Sequence, residues 1–98
     1  MTDDVRYLNV GMPELEGHLQ VRAALTPFLA SSTAVRWTVH HIAETVGGGA
    51  VLTQRTDVFE MGDRTVTVPV MGAAEFRDGK ISAWRDYFEV PAFQKQLA

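Results

Sequence analysis

Arg55 and Asp57 stand two residues apart in a run, Val51 to Glu60, that alternates as a β-strand does. Residues two apart on a strand share a face. The guanidinium and the carboxylate therefore point the same way, among Val51, Thr53 and Phe59. Charges on a mostly apolar face are costly unless they are paired or used. Near the end of the chain, Trp84-Arg-Asp-Tyr-Phe88 repeats the pattern, with Asp86 between Trp84 and Phe88 on one face. Tyr7 and Asn9 form a further polar pair at strand spacing. If the strands curl into one sheet with this face concave, these five residues meet in a pocket. Phe59, Val68, Val70, Trp84 and Phe88 supply its apolar walls. Burial raises a carboxyl pKa and a neighbouring arginine lowers it. The expected balance is one ionised and one protonated carboxyl, coupled through Arg55. Push–pull hydrolysis requires that division: one acid protonates a leaving oxygen while the other deprotonates water. The Tyr7 hydroxyl and the Asn9 amide are suited to holding the water. No metal, cofactor or nucleophilic side chain is needed.

Each piece also has a plainer reading. An Arg-x-Asp on a strand is more often a cross-strand ion pair than a catalytic pair. Tyr7 and Asn9 alone would be an edge-strand tyrosine and a turn-proximal asparagine. Trp84 and Phe88 are core as readily as pocket wall. His40 and His41 are adjacent on a predicted strand and so are expected to face opposite ways, which does not suit shared metal ligation; His18 opens a helix. No metal site is expected. Gly47-Gly-Gly49 leads into a strand rather than a helix, a poor match to a phosphate cradle. Arg64, Arg77 and Lys80 lie at turns and are expected to be solvated.

The elements that must position these residues follow from the patterning. Asp4 to Val10 is a short strand closed by Gly11 and Pro13. Glu16 to about Leu29 is a helix whose stripe of Val21, Ala24, Leu25 and Phe28 faces the core, with Leu25 and Phe28 reaching the pocket. Pro27 is expected to end or kink it. Ala34 to Val46 is a strand with Val35, Trp37, Val39 and His41 on one face. The glycine turn at 47–49 makes a hairpin with Ala50 to Glu60. Met61-Gly-Asp63 leads into a strand from Arg64 to Phe76. Inside it Pro69, which denies the ladder a donor, predicts an edge or a bulge. Gly72 supports a bend there. Arg77-Asp-Gly-Lys80 turns the chain into a last strand, Ile81 to Phe88, and Pro91 to Leu97 is a short helix. The order β-α-β-β-β-β-α predicts an α+β fold with a curved, mostly antiparallel sheet.

With 98 residues, one domain and a modest core are expected. A hydrophobic share of 46% and a charged share of 21% are ordinary for a soluble globular domain. A net charge of −3 gives no footprint for nucleic acid or an anionic membrane surface. No apolar run approaches the ~20 residues of a transmembrane helix. Met1-Thr-Asp-Asp4 has neither the basic nor the apolar region of a signal peptide. The chain has no cysteine, which excludes disulfides and thiolate chemistry and is compatible with the cytoplasm.

Asp4-Asp-Val-Arg-Tyr-Leu-Asn9, Val51-Leu-Thr-Gln-Arg-Thr-Asp-Val58 and Asp78-Gly-Lys-Ile-Ser-Ala-Trp-Arg-Asp-Tyr-Phe88, in that order, resemble the limonene-1,2-epoxide hydrolase family. The resemblance runs along nearly the whole chain. It implies a cone-shaped domain of the nuclear-transport-factor-2-like (SnoaL-like) kind, usually a homodimer, acting without a cofactor on a small apolar epoxide and water. It implies Asp86 as general base on water, Asp57 as general acid to the epoxide oxygen and Arg55 as the bridge. Tyr7 and Asn9 would position the water, and a vicinal diol would form in one step. Family members carry one or two further helices before the Tyr-x-Asn strand, and the expectation is a domain shortened at that end. Two other readings remain open: an isomerase or cyclase on a ketosteroid-isomerase-like fold, and a non-catalytic binding or dimerisation module.

Overall fold

The computed structural model describes all residues, Met1 to Ala98. Its strands are β1 (Arg6–Asn9), β2 (Leu15–Glu16), β3 (Ala34–Glu44), β4 (Ala50–Met61), β5 (Arg64–Arg77) and β6 (Lys80–Tyr87). Helix α1 spans Gly17–Ala30 and α2 spans Val90–Leu97. One six-stranded sheet runs in the order β2-β1-β6-β5-β4-β3. Every neighbouring pair is antiparallel except β1 and β6, which are parallel. The sheet is curved but not closed, and the fold class is the α+β one expected. The two-residue β2 is too short to leave a periodic trace in the sequence. The β5–β6 connection is the tight turn expected of Asp-Gly: Asp78 and Gly79 both have positive φ, 52° and 76°, as a two-residue hairpin matching the strand twist requires.

Of the two forms predicted for Pro69, the structure shows the edge and not the bulge. The β4–β5 register runs without a break from Ala50↔Glu75 to Met61↔Arg64, so Pro69 is not a bulge. Although β5 is internal in the strand order, its pairing with β6 stops at Met71. Beyond that point the far side of β5 is a local edge, where Gln96 of α2 bonds both the N–H and the C=O of Thr67 at 2.9 Å. Pro69 lies two residues on from Thr67, so its missing N–H faces that same free side and interrupts no ladder bond. The register instead shifts between Val39 and His41, and again between Glu75 and Phe76.

The first of these bulges overturns the expectation for the histidines. The extra residue on β3 breaks the period of two. His40 Nε2 meets Thr56 Oγ1 at 2.8 Å and His41 Nδ1 meets Gln54 Oε1 at 2.6 Å. Thr56 and Gln54 share the convex face of β4, so both imidazoles lie on that face. Ile42, not His41, continues the face of Val35, Trp37 and Val39, since it pairs with Thr53. Two of the turn cations are also engaged rather than free: Arg77 meets Asp4 at 2.6 Å, and Arg64 donates to the carbonyl of Leu97 at the end of α2.

Pro27 neither ends nor breaks α1, which runs on to Ala30. Of the helix stripe, Val21 is buried while Ala24, Leu25 and Phe28 face the concave side of the sheet. The core is centred on Val66, Val68 and Val70 of β5, with Phe59, Met61, Phe88, Phe93 and Leu97 packed against them. Phe28 of α1 contacts Phe59 edge-on at 4.9 Å and Phe93 of α2 at 5.8 Å, so one aromatic cluster fastens both helices to the sheet. Val66 is wholly buried at the centre of this small core. Val66→Ala should therefore lower the unfolding free energy by about 1–3 kcal/mol, read as a shifted urea midpoint with an unchanged slope.

Candidate active site

Strand alternation and register bring the charged residues together. Thr53 (β4), Gly72 (β5), Asp86 (β6) and Asn9 (β1) are successive partners in one row across the sheet. Arg55 stands in the next row, between Val39 and Val70, and Asp57 in the row after that, between Trp37 and Val68. In a further row of this face, on the other side of the first, Tyr7 partners Trp84. The parallel pairing of β1 with β6 thus sets Asn9 beside Asp86 although 77 positions separate them in the chain.

Arg55 is the junction. Its Nε donates to Asp57 Oδ1 at 2.8 Å and its Nη2 to Asp57 Oδ2 at 3.0 Å, a two-pronged contact. The same Nη2 donates to Asp86 Oδ2 at 2.7 Å, and Nη1 reaches Thr53 Oγ1 at 3.3 Å. Arg55, Asp57 and Asp86 are 2%, 5% and 6% exposed. With both acids ionised the cluster would carry a charge of −1, and one added proton makes it neutral, which burial favours. Burial pushes the Asp57 carboxyl above its ordinary range; Arg55 opposes the shift, and the neighbouring charge of Asp86 adds to it. Burial works against the charge on Arg55, but its hydrogen bonds to Asp57 and Asp86 leave it more firmly protonated than usual. Burial, and after it the Asp86 carboxylate, raises the Tyr7 hydroxyl, which therefore stays a proton donor. Asp86 Oδ1 is buried and accepts no hydrogen bond from any protein group.

Asp57 and Asp86 lie in the wall of a cavity of about 550 Å³, with Tyr7 and Asn9 beside them. All seven wall residues expected from the sequence line it: Leu25, Phe28, Phe59, Val68, Val70, Trp84 and Phe88. Arg55 lies behind the wall and meets the cavity only through its carboxylates. Sequence reasoning missed Met12 and Leu15, which come from the segment around β2, and Phe93 of α2. It also missed Val35 and Trp37 as wall residues, although their shared face on β3 was legible and could have found them. The most consequential omission is Gly72. A Cβ there would stand 2.5 Å from Arg55 Nη1, 2.8 Å from Asp86 Oδ1 and 2.9 Å from Thr53 Oγ1. Its role is space rather than a special backbone angle: it leaves the gap through which Arg55 reaches Asp86.

A six-stranded curved sheet with helices over its concave face and a pocket between them defines an NTF2-like domain. An NTF2-like protein from Burkholderia pseudomallei superposes with a TM-score of 0.84 at 18% identity, covering 100% of this chain and 79% of that one. The particular family follows from the sequence match: the model of the limonene-1,2-epoxide hydrolase catalytic domain matches residues 1–98, and the chain belongs to that family. Epoxide hydrolase EphG of Mycobacterium tuberculosis is 38% identical over 88 residues, which are 90% of this chain and 57% of that protein. This chain therefore spans little more than half the length of that relative. The solved structure of an M. tuberculosis LEH-like epoxide hydrolase is 36% identical with a TM-score of 0.80, covering 99% of this chain and 71% of that one.

Gly72→Ala should leave the strand backbone intact and part Arg55 from Asp86. Breaking one contact of a buried ion cluster should cost about 3 kcal/mol, measured by denaturant unfolding. Unchanged stability would mean that Arg55 swings aside freely.

Proposed function

We propose that this chain opens an apolar epoxide to a vicinal diol by one-step addition of water. The observation that carries the reading is Arg55 joining two buried carboxyls at the wall of an apolar cavity. In it, Asp86 is the general base: its carboxylate accepts a proton from a water held by the Tyr7 hydroxyl and the Asn9 amide. The water oxygen attacks one epoxide carbon as the C–O bond breaks. Asp57, kept protonated by burial, delivers its proton to the departing oxygen. The two carboxyls exchange protonation states, and Arg55, bonded to both, keeps the charge of the pair spread throughout. Returning a proton from Asp86 to Asp57 completes the cycle. No ester forms, because carboxylate and epoxide carbon are separated by the water.

The geometry favours this over the isomerase reading, which calls for one carboxylate base and an oxyanion donor; here the acids share a single guanidinium. Homodimerisation belongs to the same proposal. Leu52, Met71 and Tyr87 are half exposed on the convex face, and sedimentation reads the association directly.

Limonene oxide, cyclohexene oxide and styrene oxide in H₂¹⁸O are the test substrates. With enzyme in excess, the diol should carry label after one turnover, with none in Asp86. Asp86→Asn and Asp57→Asn should each lose on the order of 10³-fold or more in kcat. Since Asp57 must be protonated and its pKa is raised above the ordinary carboxyl range, activity should persist above the pH at which a free carboxyl ionises and fall as the pH rises through that raised value. Turnover of none of the three epoxides would sink the reading, and full activity in Asp86→Asn would remove the assigned base.

A further inference from the structure

Strand β3 is an edge strand, exposed along its whole length. On its concave side Val35, Trp37 and Val39 are 44%, 49% and 48% exposed. One strand further in, Arg55 and Asp57 are almost completely buried. Adjacent strands are only ~4.8 Å apart, so something on β3 must exclude water across that step. Val39 stands directly opposite Arg55 but is short. The Trp37 indole lies over the guanidinium, with the Arg55 central carbon 4.2 Å from the ring centre. Trp37 is also the cross-strand partner of Asp57. Trp84 stands 5.7 Å from the same carbon, and the two indoles are 5.8 Å apart.

A guanidinium has an edge and two faces. Its N–H donors all lie in the plane, so an indole can cover a face without displacing a hydrogen bond. Here the edge of Arg55 is committed to Asp57, Asp86 and Thr53, which leaves the faces for tryptophan. We propose that Trp37 is a positioning residue: it clamps the Arg55 guanidinium flat between the two carboxylates and closes the ion cluster off from water on the β3 side. It acts through Arg55 and Asp57 rather than on the reacting atoms. Its catalytic consequence rests on the epoxide-opening reading above, whereas its effect on the carboxyls does not.

Removing the indole hydrates Asp57. Burial is the leading cause that raises this carboxyl, so its titration must move down in pH. Any reaction that needs its proton then loses its alkaline range. The test compares Trp37→Ala, Trp37→Leu and Trp37→Phe with the unmodified chain. One readout is the pH profile of kcat/KM on an epoxide; the other is the ¹³C NMR titration of the Asp57 carboxyl, which needs no substrate. In Trp37→Ala the carboxyl should titrate at lower pH, the alkaline limb should move the same way, and kcat should fall on the order of tenfold to a hundredfold. Trp37→Phe, which keeps a ring over the guanidinium, should restore both readouts most of the way, with Trp37→Leu between the two. Equal titration of Asp57 in alanine, leucine, phenylalanine and unmodified chains would overturn the proposal. Should alanine prevent folding, the leucine–phenylalanine difference decides. If the unmodified chain opens no epoxide, the functional reading falls and the NMR titration still decides the role of Trp37.

Discussion

The rest of the structure depends on keeping one guanidinium and two carboxyls out of water together. Isolated, each of these charges would be expelled from a site this buried. Combined, they are tolerable because Arg55 contacts both acids and one proton neutralises the remainder. That constraint explains features that look unrelated along the chain. Gly72 lacks a side chain so that Arg55 can pass over β5. Thr53 takes up the remaining nitrogen. Trp37 covers a face of the guanidinium, and Trp84 stands beside it. The parallel pairing of β1 with β6 brings polar groups from the start of the chain to Asp86.

The same residues build the core and the cavity. Val68 and Val70 are buried in the core cluster and also form cavity wall. Phe28, Phe59, Phe88 and Phe93 join the two helices and line the same space. A domain of this size has little apolar surface to spare, so packing and substrate enclosure draw on one set of side chains. Reshaping the cavity for another substrate would therefore change stability as well. The charged cluster sits at the wall of this apolar space, where a low local dielectric strengthens each electrostatic contact.

Strand periodicity made much of the site legible. It put Arg55 with Asp57, Asp86 between Trp84 and Phe88, and Tyr7 with Asn9, and register did the rest. The resemblance supplied what periodicity could not, namely that these three strands face one pocket. Features set by the partner strand stayed hidden. The bulge at His40 puts two adjacent histidines on one face, which no count of alternation reveals. Pro69 read correctly as the mark of an edge, but that edge is local to an internal strand because β6 stops short of it. Gly72 read as a bend because a missing side chain matters only once its neighbours across the sheet are known.

The central claim is that the Arg55-linked pair holds one proton and that Asp57 carries it at rest. Neutron diffraction from a deuterium-exchanged crystal at the pH of fastest turnover tests this directly. The account predicts deuteron density on Asp57, on the oxygen lone pair facing the cavity, and none on Asp86. Density on Asp86, or two bare carboxylates flanking Arg55, would contradict it.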